Sequence, residues 1–267
     1  MLQAVVVPRS LAEAHAALGD GARILAGGTA VMPELAQGTD AFDRLVSLSR
    51  AGIDDVRVAG GRAEVGAAAT LARLEAEPKL AFLAPALGCI ASPTIRNMAT
   101  VGGNLFVKQP YGDLAACLIA LGAVARVSGG KRSREVAVEA LVAEGVGPRE
   151  IVTAVAFEMP PEDGFRFRKA GRKALNAAAI VTVAAVVTRG RGKVTACRIG
   201  LGGVAPVAVR AASAEAALVG RPLDRASAEA AGKAALADIA PFDDSQASAW
   251  YRTRVTPVHV RRALIGE

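Results

Sequence analysis

Apolar residues along this chain change their spacing several times, and each change marks an element. Ser10 followed by Glu13 has the spacing of a capping box, ahead of an alanine-rich helix running through Leu18. Arg23 to Ala26 reads as a short buried strand, and it leads straight into Gly27-Gly28-Thr29. Residues 31 to 36 then read as a short helix with Pro33 in its first turn, where a missing N–H costs little. The order is strand, glycine turn, helix start. From 45 to 66 come short strand-like runs broken by Gly52 and Gly60-Gly61, after which Thr70 caps a helix expected to end near Pro78.

Residues 91 to 112 carry neither hydrophobic period and are dense in turn formers, which in a compact domain points to a binding loop. Asp113 is placed to N-cap the apolar helix that follows, LAACLIAL. Residues 124 to 127 and 151 to 158 read as strands. Pro160 to Gly164 is the best linker and marks a domain boundary. Beyond it, strand-like runs at 165 to 169, 180 to 188 and 194 to 201 predict an antiparallel sheet, followed by helices from Ala214 onward.

Composition narrows the class. The chain has 267 residues, enough to bury a core without disulfides or structural metal. Its hydrophobic fraction is 52% and its mean hydropathy +0.34, but much of that is alanine and only 4% is aromatic. The longest nearly uncharged apolar stretch, 114 to 125, stops at Arg126, short of the roughly 18 to 20 residues a membrane span needs. The opening MLQAVVVPRS has no signal-peptide pattern, so a cytoplasmic protein is the simplest reading. Cys89, Cys117 and Cys197 are far apart, and His15 and His259 lie near opposite ends, so no metal or cluster site is expected from this chain. The formal charge of +7 is scattered, without a nucleic-acid-binding motif; it reads as a solvated surface, with attraction of an anionic ligand or an acidic partner subunit as the functional alternative.

Candidate chemistry lies in the glycines. In Leu25-Ala26-Gly27-Gly28-Thr29-Ala30-Val31, a turn opens a helix whose first N–H groups lack intrahelical partners, as in an anion cradle, although paired glycines before a helix also serve as a plain tight turn. A second loop, Thr100-Val101-Gly102-Gly103-Asn104, offers two more glycines beside a hydroxyl and an amide; Gly103 is expected to need the left-handed backbone. Two such loops suit a diphosphate better than one. Neither is a P-loop. The formal GxGxxA at Gly200 to Ala205 is followed by Pro206 and a strand-like run, so it reads as a loop between strands rather than a dinucleotide fingerprint.

AGGTAVMPEL at 26 to 35, TIRNMATVGGN at 94 to 104 and YGDLAACL at 111 to 118 together resemble the FAD-binding medium subunits of the xanthine dehydrogenase and aerobic carbon monoxide dehydrogenase family, the molybdenum hydroxylases. RKAGRKALNAAAIV and CRIGLGGVAPVAVR resemble that family's C-terminal domain, so the likeness covers almost the whole chain. It implies an α+β fold: a two-lobed, vanillyl-alcohol-oxidase-like (PCMH-type) FAD-binding domain over 1–160, with lobes of about 1–52 and 53–160, then a small antiparallel sheet with helices over 165–267. It also implies non-covalent FAD held by Leu25, Ala26, Gly27, Gly28, Thr29, Ala30 and Val31 and by Thr100, Gly102, Gly103 and Asn104, with Asp113, Val152 and Lys169 as further contacts. From the residues alone, Asp113 is equally a helix cap, Lys169 a solvated strand residue and Val152 core.

Two departures stand out: Ala30 replaces a serine or acid common in the family, and Ala177 a tyrosine found in some members. The implied partners are a large subunit with the molybdenum cofactor and a small subunit with 2Fe-2S clusters, assembled as a dimer of heterotrimers. This chain's part is to carry electrons from those clusters through FAD to an external acceptor. The alternatives are a freestanding FAD-dependent oxidoreductase on the same fold and a non-redox nucleotide-binding protein.

Overall fold

The computed structural model describes residues 2–38, 42–174 and 176–267. The first lobe runs β1 (Ala4–Val6), α1 (Leu11–Ala17), β2 (Ala22–Leu25), α2 (Val31–Ala36) and β3 (Arg44–Ser47). Its sheet has the order β1-β3-β2, with β3 parallel to both neighbours. Ser10 caps α1 by accepting from the Glu13 N–H at 3.2 Å. The return bond of the expected box goes elsewhere: the Glu13 carboxylate accepts from the N–H of Arg9, one residue before the cap, at 2.8 Å.

The second lobe runs β4 (Val56–Ala59), β5 (Arg62–Gly66), α3 (Leu71–Glu75), α4 (Ala84–Gly88), α5 (Pro93–Arg96), α6 (Val101–Leu105), α7 (Asp113–Ala120), β6 (Val124–Ser128), β7 (Ser133–Ala137), α8 (Val138–Glu144) and β8 (Ile151–Glu158). Its antiparallel sheet has the order β4-β5-β8-β6-β7. β8 lies at the centre, and all its residues but Glu158 are buried. The helix capped by Thr70 stops at Glu75, and a 3-10 turn, Pro78–Leu83, leads into α4. The stretch read as irregular, 91 to 112, holds two short helices. Ser92 and Thr100 cap them, each accepting from the N–H three residues on.

The third unit runs β9 (Phe165–Gly171), β10 (Ala179–Gly190), β11 (Lys193–Gly202), β12 (Val209–Arg210), α9 (Ala212–Leu218), α10 (Arg225–Ala234) and α11 (Ala249–Ile265), with an antiparallel sheet ordered β12-β11-β10-β9. Alternation along β10 gives the sheet two buried faces. Val181, Val183, Ala185 and Val187 pack with the C-terminal helices, while Ala184 and Val186 join the core of the second lobe. Between that lobe and this sheet lies α7, every residue of which is buried. Gly200 makes the fit possible, since a Cβ there would fall 2.0 Å from the Ala116 carbonyl oxygen. The GxGxxA glycines therefore serve packing, and the segment leads into β12 rather than a helix.

Candidate functional site

β2 ends at Leu25, and the chain turns at Gly28 with φ +74° before entering α2. Ala30, at the N-cap, offers no side-chain cap. Among the described residues nothing accepts from the N–H groups of residues 27–31, so the start of α2 presents unsatisfied donors. Gly27 serves a different purpose. A Cβ there would lie 1.8 Å from the Met98 carbonyl oxygen, so this glycine lets the first lobe's loop rest on the second lobe's backbone.

The second loop corrects the sequence reading. Its N–H groups are used inside the chain: Val101 donates to Ala69 at 2.9 Å, Gly102 to Ala67 at 2.8 Å, and Gly103 to the Thr100 hydroxyl at 3.1 Å. Gly102 is small because a Cβ would meet Ala67 at 2.9 Å. Gly103 is helical and not left-handed, contrary to expectation. What this loop can offer a ligand is side chains, the Thr100 O–H and the Asn104 amide, and a surface without bulk.

Asp113 is the first residue of α7, behind a left-handed Gly112 at the N-cap. The capping role expected of it falls to Asn104, whose Oδ1 accepts from the Leu114 N–H at 3.2 Å. The Asp113 carboxylate instead forms a buried cluster, accepting from Lys169 Nζ at 2.7 Å and from the Thr182 hydroxyl. Lys169, on β9, also donates to the Cys89 carbonyl at 3.0 Å. An ammonium has three donors, so one remains.

These elements enclose a cleft of about 1040 Å³ between the lobes and against β9. Ala26, Gly27, Gly28, Thr29, Ala30, Val31, Thr100, Gly102, Gly103, Asn104, Asp113, Val152 and Lys169 all line it, as does Ala177. Leu25 does not; its side chain lies beneath Gly28. Sequence reasoning missed Phe106 and Tyr111, both on the cleft wall and largely exposed, and Glu150. Two aromatics within the turn-rich stretch 91 to 112 of so aromatic-poor a chain are the signal that could have found the first two. Glu150 is held by Arg134 in a two-pronged pair and by the Gly147 N–H, which pull its pKa down to about 2.

Residues 2–160 match the family model described as the FAD binding domain in molybdopterin dehydrogenase, and 165–266 match the CO dehydrogenase flavoprotein C-terminal domain. The chain belongs to the molybdopterin dehydrogenase FAD-binding family. It is 33% identical to the carbon monoxide dehydrogenase medium chain of Afipia carboxidovorans, over 96% of this chain and 93% of the relative. To a putative xanthine dehydrogenase FAD-binding subunit of Escherichia coli it is 28% identical, over 96% and 92%. Among solved structures, a cyanide-inactivated Cu,Mo-CO dehydrogenase superposes with a TM-score of 0.91 at 31% identity, covering 99% of this chain and 97% of that one. Quinoline 2-oxidoreductase from Pseudomonas putida 86 superposes at 0.89 and 26%, covering 100% and 96%.

The family's cofactor is FAD, and the cleft's chemistry fits it. The two glycine loops contribute N–H, hydroxyl and amide groups and no carboxylate, which suits a diphosphate. Ile90, Ile95 and Val152 supply apolar wall. The volume, about 1040 Å³, lies just above the ~300–1,000 Å³ range of small-molecule sites, as a large dinucleotide requires.

Proposed function

We propose that this chain is the electron-transfer subunit of a molybdenum hydroxylase complex. It takes electrons from the 2Fe-2S clusters of a small partner subunit, which a large molybdenum-cofactor subunit supplies, and delivers them through FAD to an external acceptor. Bound flavin supplies the ability to accept electrons singly and release them as a pair; the protein sets its position and electrostatics. The carrying observation is the convergence of both glycine loops and the buried Asp113–Lys169 pair on one cleft. Relatives titled medium chains and FAD-binding subunits support the assembly with large and small partners. A dimer of heterotrimers in the cytoplasm completes the reading, and among the described residues no helix is long and apolar enough to cross a membrane.

Within the cleft, the donors at the start of α2 hold the pyrophosphate, with Gly28, Thr29, Ala30 and Val31 contributing backbone and Ala26 and Gly27 bringing the loop against the second lobe. Thr100 and Asn104 add side-chain donors, and Gly102 and Gly103 leave the approach open. Lys169, fixed by Asp113, directs its remaining donor to the cofactor, and Val152 packs against it. Neither histidine nor cysteine lines the cleft among the described residues, which supports reversible binding. The purified chain should be yellow and release free FAD on acid treatment. Gly28→Val should fold and lose most of its flavin, because a β-branched residue resists φ +74° and disturbs the donors of α2. Full flavin in that variant, or colour that stays with the precipitated chain, would sink the reading.

A further inference from the structure

Beside the cleft, between β9, the segment after it and α11, lies a second cavity of about 490 Å³. Its wall carries Arg168, Arg172, Lys173 and Arg262 around His259, and it shares Lys169 and Ala177 with the main cleft. Among the described residues no carboxylate lines it. Arg168 donates to His259 Nδ1 at 3.4 Å and to the main-chain oxygen of Glu267, and Arg172 to the Ser245 carbonyl at 3.3 Å. Neither has a carboxylate side chain as partner, and the Lys173 and Arg262 side chains have no partner among the described residues. Burial and the neighbouring Arg168 and Arg262 push the His259 imidazole down to about 4, leaving it neutral near pH 7. Lys173 and Arg262, without side-chain partners among the described residues, and Arg172, which meets only a main-chain carbonyl, gather beside Arg168 in a concave wall and focus a positive field. Guanidinium forks match phosphate oxygens.

The cavity is larger than an inorganic ion requires and falls in the ~300–1,000 Å³ range of organic ligands. The same wall also holds Ile180 and Tyr251, which is 44% exposed, and an aromatic ring is a surface on which a base can stack. We propose that this pocket binds a nucleoside phosphate, with Arg168, Arg172, Lys173 and Arg262 on the phosphates and Tyr251 against the base. The site is separate from the one assigned to FAD. It places the bound nucleotide next to Lys169, at the wall the two cavities share.

Calorimetry on the flavin-loaded full chain, with the main cleft filled, tests this using ADP and inorganic pyrophosphate as probes. ADP should bind at one site per chain, more tightly than pyrophosphate and less tightly as salt rises. Arg262→Ala should weaken ADP about tenfold or more, the loss of one charge-assisted contact, without changing flavin content. Lys173→Glu should weaken it further, and ADP should raise the pH at which His259 titrates by NMR. Absence of binding, binding indifferent to both variants, or ADP no tighter than pyrophosphate would overturn the proposal. A chain isolated without flavin would instead sink the cofactor assignment. The Arg262→Ala comparison would still decide this site, because Arg262 lies outside the main cleft.

Discussion

Lys169 and Asp113 show how one residue pair ties the site to the fold. Their side chains are 9% and 5% exposed, and the ion pair joins β9 to the start of α7. Lys169→Met leaves the Asp113 carboxylate buried with Thr182 as its remaining side-chain partner, so stability should fall by about 3–5 kcal/mol. The denaturant midpoint reads this, and adding Asp113→Asn should recover much of the loss. An unchanged midpoint in the single variant would mean that the pair does not hold these elements together. His259 makes a second residue-scale case. Its folded pKa, about 4, lies below the ordinary 6.5. Above pH 7 the ring is neutral whether folded or not. Between about 6.5 and 4 the unfolded chain binds the extra proton, so stability is lost as pH falls and the loss levels off below 4. His259→Gln should flatten the stability profile across that window, and an equally steep profile would count against the buried neutral imidazole.

At the scale of elements, α7 is the piece on which both halves of the chain close. It packs against α6 and α8 on one side and β10 and β11 on the other. Gly200→Val would drive a side chain into the Ala116 backbone, which cannot rotate away as a side chain would. A loss at or above the upper end of ~1–3 kcal/mol is expected, with lower flavin occupancy as Asp113 shifts. A variant of wild-type stability would show that the sheet has slack against α7. The legibility of elements follows their physics. α2 and β8 emerge at the expected bounds, one opened by a glycine turn with Pro33 and the other an apolar run broken only by Thr153 before it ends at Glu158. β1 and β7 were not foreseen: β1 has three residues, and β7 is a largely exposed edge strand whose SREVA carries little alternation. α5 and α6 are too short for a period to register, and only their caps mark them.

For the whole molecule, the cleft is a product of three units, and this limits what any local pattern can reveal. The glycine loops were visible as motifs, but the contact of Gly27 with Met98 is a relation between lobes, and no spacing encodes it. Likewise Glu150 and Tyr111 reach the cleft through tertiary packing. Ala184 and Ala208 belong to the core of the second lobe, so the two halves of the chain share apolar interior and are not beads on a linker. The most direct test of the electron-transfer assignment mixes the oxidised, flavin-loaded chain with the chemically reduced small iron-sulfur subunit from the same host, in a stopped-flow instrument without oxygen. Rapid bleaching of the flavin band, absent when the reduced subunit is omitted and absent in flavin-depleted Gly28→Val, is the predicted result. Failure of the reduced partner to bleach the flavin, or rapid bleaching by a hydroxylase substrate with no partner present, would contradict the account.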